Sequence, residues 1–253
     1  IERQAEILSE CDQYIISELL EPMSNEAIAT LLKQIGSDDT RHILEALPEG
    51  RAGEVVEQMD VHESFVIEDI MAYAPDSAGS IMSDSFVAFF DEITIEKAIS
   101  EVRKANEVDY VFYVYVLGED RHLRGVVSLR QLLLAEPHKR LSEVMTSNVW
   151  SVTVHADQED VARLVSRYNI LAIPVVDDSG VMLGVVTVDD VIDVLREEAT
   201  EDILKMAGTH AEEITNLSAG RMAWIRFPWL FVSWMGGMGA AWLIGVFENE
   251  LSK

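Results

Sequence analysis

The spacing of apolar positions changes character three times along the chain. Through residues 1–79 apolar side chains recur at helical intervals, as in Ile28, Leu31, Leu32 and Ile35 and again in Val55, Val56 and Met59. Pro22, Gly36, Pro48 and Gly53 interrupt them, so this stretch predicts a set of short helices. "YAPDSAGSIM" (73–82) ends that pattern with proline, aspartate, serine and glycine, and it reads as a boundary. Beyond it the chain repeats itself. "MSDSFVAFFDEITIEKAISEVRK" from Met82 resembles "MTSNVWSVTVHADQEDVARLVSR" from Met145, and "LRGVVSLRQLLLA" from Leu123 resembles "MLGVVTVDDVIDV" from Met182. In the second copy "VWSVTV", "DQEDVARLVSRY", "AIPVVD", "MLGVVT" and "VDDVIDVLREEA" give the order strand, helix, two short strands, helix.

The last helix of that copy runs on past the repeat. At 100° per residue Ile192, Leu195, Ala199, Ile203 and Met206 fall within an arc of about 80°, which predicts a dry face. Asp190, Asp193, Glu197 and Glu201 share the opposite side, with Glu198 and Asp202 flanking it. Farther on, Phe227 to Phe247 is 21 residues without a charge. At ~1.5 Å per residue that length crosses ~30 Å of hydrocarbon. Arg221 and Arg226 precede it and Glu248 and Glu250 follow, so the positive-inside rule puts everything upstream in the cytoplasm. Ser233, Gly237 and Ala241 lie along one side of this helix beside Gly236 and Ala240, a stripe that lets another membrane helix approach closely. A lone anchor or a buried helix of a soluble protein is the competing reading.

Composition sharpens the picture through charge. The chain has 253 residues, 49% of them apolar, and a formal net charge of −26. Residues 1–80 hold 18 acids against 4 bases. Such a field repels nucleic acid and anionic head groups and gathers cations, with divalent ions as the natural counter-charge. Acidity adapted to a salty cell is the alternative, and 6 Lys against 13 Arg is compatible with it. Cys11 stands alone, so no internal disulfide forms, and the six histidines include no close ligand pair, which argues against zinc. Phosphate-loop, nucleophile-elbow and dinucleotide signatures are all absent, and the chain does not read as an enzyme.

The helix at 190–202 carries the candidate chemistry. Asp193 with Glu197, Glu197 with Glu201 and Glu198 with Asp202 are like charges at i, i+4, each costing roughly 0.2–0.5 kcal/mol in an isolated helix. Either the face is simply solvated, or cations offset the repulsion.

The repeated elements resemble tandem CBS domains, regulatory modules that associate through their sheets; "GVVTVDDV" is the most specific match. In that family a Thr or Ser followed three residues later by Asp binds an adenine nucleotide, which the resemblance carries onto Thr187 and Asp190. Ser128 is followed by Gln131, an amide that cannot act as a carboxylate acceptor for two hydroxyls, so at most one such site is intact. Thr187 also suits a plain helix cap.

The whole order also resembles the MgtE family of magnesium channels. "DSAGSIM", "RGVVSLRQLLLAEP", "GVVTVDDVIDVLREEATEDILKMAG", "RFPWLF" and "GVFE" carry that likeness. It implies an α+β multi-domain fold: an all-α acidic domain (1–79), CBS repeats (80–141 and 142–198), a connecting or plug helix (190–219) and a first transmembrane helix (222–248). It further implies a homodimer in the cell (inner) membrane, its N-terminal region cytoplasmic, in contact with the lipid bilayer. In that family Mg2+ neutralises carboxylates between these parts and favours the closed state. Carried over by motif position, the metal residues are Asp38, Asp39, Asp190, Asp193, Glu198, Glu201 and Asp202. Mg2+ is thus the expected ligand, with ATP or another adenine nucleotide as a second; the alternative function is a membrane-tethered CBS nucleotide sensor.

Overall fold

The computed structural model describes residues 7–8, 11, 13–33, 35–48, 50–60, 64, 67, 71–104, 111–206 and 219–251. It divides into two compact units, Ile1–Leu195 and Arg196–Lys253.

Four described helices form the acidic N-terminal part: α1 (Gln13–Leu20), α2 (Asn25–Leu32), α3 (Ser37–Glu45) and α4 (Arg51–Val56). Ile16, Leu20, Ile28, Leu32, Ile43, Leu44 and Val55 bury their side chains in one core, to which Ile67 adds. Ser24 caps α2, its hydroxyl accepting from the Ala27 N–H at 3.3 Å, a role Ser fills well. Pro22 and Pro48 lie between helices as expected and Gly36 caps α3, but Gly53 does not break the chain. It sits inside α4; the turn is made three residues earlier by Gly50, whose φ of +88° is open to a residue without Cβ.

Scarce bases are spent inside this part. Arg51 donates from Nε to Asn25 Oδ1 at 3.0 Å and from its terminal nitrogens to the carbonyls of Leu20, Glu21 and Met23, closing the C-terminal end of α1. Arg41, almost fully buried, pairs with Glu45 at 2.7 Å, and Lys33 pairs with Asp60 at 2.6 Å. Against 18 acids in residues 1–80 there are only 4 bases.

The two repeats share one plan. In the first, β1 (Ala88–Phe90), α5 (Ile95–Val102), β2 (Tyr113–Leu117), β3 (Leu123–Ser128) and α6 (Leu129–Leu134) are followed by the short α7 (Leu141–Val144). In the second come β4 (Val152–Thr153), α8 (Gln158–Tyr168), β5 (Ala172–Val176), β6 (Met182–Thr187) and α9 (Val188–Met206). Each sheet has a parallel pair and an antiparallel pair about a central strand, in the orders β1-β2-β3 and β4-β5-β6. Both antiparallel registers slip at the same step, Val116/Leu117 and Val175/Val176. The sheets meet face to face through Tyr115, Leu117, Met182 and Val185, and their hairpins touch where His122 bridges Val181.

The expected boundary at 73–82 is built into the second repeat. The Ala78 N–H donates to the Ala156 carbonyl at 2.7 Å, Gly79 N–H to Val154 at 2.9 Å, and Ser83 and Val185 exchange both backbone bonds at 2.8 and 2.9 Å. Gly184 permits this approach, since a Cβ there would stand 2.7 Å from the Ser83 carbonyl oxygen. The first repeat is closed in the same way by the segment that follows it, with Ile95 N–H bonded to the Lys139 carbonyl and Val126 bridging Thr146.

The last helix, α10 (Ala219–Leu251), runs 33 residues. Its stretch Phe227–Gly245 has a mean hydropathy of 1.3, with none of it buried, and is long and apolar enough to cross a membrane. Pro228 lies inside it, a residue that membrane helices tolerate more readily than soluble ones. Residues 207–218, expected to continue the connecting helix, lie outside the described residues.

Candidate functional site

α9 starts at a tightly built cap. The Asp190 carboxylate accepts from the Thr187 N–H at 2.9 Å and from the Thr187 hydroxyl at 2.6 Å, and the same hydroxyl can turn to Asp189. The first repeat places the same device at Ser128 and Gln131. There Gln131 Oε1 accepts from the Ser128 N–H at 2.9 Å while the Ser128 oxygen accepts from the Gln131 N–H at 3.2 Å. Thr187 and Asp190 therefore hold the helix start whatever else they do.

Val191 and Val194 bury the root of α9 in the core of the second repeat, with Val161, Val165 and Ile173. The dry face expected from Ile192, Leu195, Ala199, Ile203 and Met206 is instead exposed: Ile203 at 62% and Met206 at 82%. The helix docks through a face about 100° away, where Val191 and Val194 are buried against the second repeat.

Of the expected metal residues, Asp193 and Asp202 are exposed, while Asp190, Glu198 and Glu201 are half-buried. Glu201 Oε1 lies 2.6 Å from Lys205 Nζ. That hydrogen bond, aided by the charges of Glu201, Asp202 and Glu198, holds the Lys205 ammonium above the ordinary lysine range. Asp38 and Asp39 open the first turn of α3, where carboxylates favour the positive end of the helix dipole. Asp39 is half-buried, and the Asp38 side chain lies outside the described residues. Among the described residues no three Asp, Glu, His or Cys side chains come together as a ready ion cage. The acids of α9 are thus strung along one helix. That spacing suits an ion held through its own waters, as Mg2+ commonly is, better than a dehydrated site.

The cleft between the repeats is the second candidate. It is lined by Ser85, Phe86, Phe112, Tyr113, Tyr115 and Thr187 among others, and its cavity is about 10 Å³, room for roughly one water. Tyr115 fills it: the ring meets Phe86 edge-on at 6.1 Å, the hydroxyl donates to the Ala172 carbonyl at 3.4 Å, and burial pushes its pKa well above the ordinary phenol value. Sequence reading passed over these aromatics, although the alternation in "VFYVYV" already puts Tyr113 and Tyr115 on one face of a strand. A cavity of that size has no room for a purine.

Residues 1–76 match the MgtE intracellular N domain, and residues 78–138 and 141–197 each match the CBS domain. The magnesium transporter MgtE of Bacillus subtilis (strain 168) is 35% identical over 227 residues, covering 89% of this chain and 50% of that protein. The MgtE of Thermus thermophilus is 38% identical over 188 residues, 73% of this chain and 42% of that protein. The chain spans about half the length of the curated relatives it matches. Among solved structures, the cytosolic domain of the Mg2+ channel MgtE in complex with ATP aligns at a TM-score of 0.73 and 32% identity, over 76% of this chain and 79% of that one. The soluble part of a magnesium transporter aligns at 0.75 and 29% identity, over 78% of both chains.

Proposed function

The chain belongs to the MgtE family of magnesium transporters, which are not enzymes, and on that premise we propose that it is the Mg2+-sensing regulatory region and first transmembrane helix of a homodimeric magnesium channel. The observation that carries this reading is α9 itself, a single continuous helix that leaves the second repeat carrying a run of carboxylates. Like charges at i, i+4 oppose the helix and repel any other acidic surface brought near it. Hydrated Mg2+ lying between α9 and the acids of the N-terminal helices, Asp38 and Asp39 included, removes both penalties. Closure is then favoured only as far as the ions bind the closed arrangement better than the open one. Asp190, Asp193, Glu198, Glu201 and Asp202 are the residues assigned to this role, and Asp190 does so while keeping its cap.

Arginines before the apolar span and glutamates after it support a cytoplasmic placement of everything upstream, in the cell membrane. The exposed apolar faces of the membrane helix and of α9 support assembly with a second copy. Limited proteolysis of the whole chain in detergent tests the reading: millimolar Mg2+ should protect residues 190–206, and equal cleavage with and without the ion overturns it.

A second reading rests on one observation, the ATP held by the similar cytosolic domain. Thr187 lines the cleft here, so ATP is proposed as a further ligand that displaces Tyr115. Calorimetry should then show ATP binding that Asp190→Asn weakens, the amide keeping the cap while losing the charge. Absence of heat in the unmodified chain removes this reading and leaves the first standing.

A further inference from the structure

The chain leaves the acidic helices and enters the first repeat, yet the connecting segment is fastened to the second. Tyr73, Ala78 and Met82 pack into the same core as Val191 and Val194, the two residues that root α9. Ser83 exchanges backbone bonds with Val185, two residues before the Thr187 cap. The intervening turn satisfies itself: Ser80 Oγ donates to the Ser77 carbonyl at 2.6 Å and accepts from the Ser77 N–H at 3.1 Å, and Ser77 Oγ donates to the Ala74 carbonyl at 2.7 Å. Gly79 is pressed so closely that a Cβ would lie 2.6 Å from Val154 and 2.7 Å from the Tyr73 ring. This is an anchor, tied by both backbone and side chains.

On the other side, Ile67 is buried in the core of the acidic helices. Tyr73 follows it only six positions later. Six residues reach at most about 20 Å when fully extended. The acidic helices are therefore tethered within a short distance of the place where the acidic helix α9 begins.

We infer that this tether is a positioning element for the metal response. By fixing the acidic helices to the root of α9, it sets the effective concentration at which the two sets of carboxylates meet, and so the Mg2+ level that joins them. The inference rests on the Mg2+-sensing reading above. It makes Tyr73, Gly79 and the spacing between Ile67 and Tyr73 parts of the sensor, although none of them is a ligand.

Effective concentration falls roughly as the −3/2 power of tether length. Insertion of four Gly/Ser residues between Ala72 and Tyr73 in the full chain should lower the ratio of protected to cleaved α9, at one fixed Mg2+ level near the midpoint, by about twofold, and insertion of twelve by about fivefold. A residue with a merely structural role would not give that graded dependence on length. Gly79→Val, which loosens the anchor without lengthening the chain, should move the ratio the same way. Equal ratios for no insertion, four and twelve, in a chain that still responds to Mg2+, overturn this inference alone. Failure of the unmodified chain to respond overturns it together with the Mg2+-sensing reading.

Discussion

Any cation that binds Glu201 competes with Lys205 for its negative charge. The ammonium is 2.6 Å away, hydrogen-bonded and surrounded by the charges of Glu201, Asp202 and Glu198, which raise its pKa. A raised lysine pKa means that the pair contributes fully below the ordinary value of 10.5 and is lost only as the pH climbs through the raised one, so at neutral pH the competing ammonium keeps its charge. Lys205→Gln keeps the length and removes the charge. It should lower the Mg2+ midpoint for protection of residues 190–206 by about two- to fivefold, the scale of one exposed ion pair. A midpoint that stays put or rises would detach Glu201 from the metal site. Asp190 poses the opposite problem, for its carboxylate is already used twice at the helix cap. The Thr187–Asp190 spacing was legible in the sequence, but the same spacing serves a cap and a ligand, and only the hydrogen bonds show the cap.

Among the elements, the repeats were the most legible. Their strands are short apolar runs bounded by turn residues and their helices keep one apolar face, so local pattern alone gives the order strand, helix, strand, strand, helix in both copies. Pattern fails where the partner is distant in sequence. Ser77 bridges Asp157 and Ser83 bridges Val185, pairings across 80 residues or more that no local period announces, so a segment rich in turn residues reads as a boundary while its pairing with the second repeat stays hidden. The same limit explains α9. Periodicity groups Ile192 with Leu195 and Ile203 correctly, yet it cannot tell which face has a neighbour; Val191 and Val194 meet the sheet and the isoleucine face does not. In the N-terminal part, Asp38 and Asp39 were legible as acids near a glycine, and their place in the first turn of α3 follows from that. Whether they face α9 depends on packing between separate elements, which neither residue type nor spacing encodes.

For the molecule as a whole, the issue is whether a formal charge of −26 reflects a sensor or general salt tolerance. The two make different demands on ions. Diffuse screening depends on ionic strength, and at about 0.15 M salt the screening length is already ~8 Å, so a further millimolar of any salt changes it little. A hydrated divalent ion lodged between carboxylates depends on its own concentration instead. In about 0.15 M KCl, adding low-millimolar MgCl2 should therefore protect α9, whereas KCl raised to the same ionic strength should leave cleavage as it was. The excess of 18 acids over 4 bases in residues 1–80 favours this outcome, because it concentrates negative charge in the N-terminal helices. Should KCl alone protect as well as MgCl2 does, the repulsion is being relieved by screening, and the acidic face of α9 is a solvated surface of a salt-adapted protein.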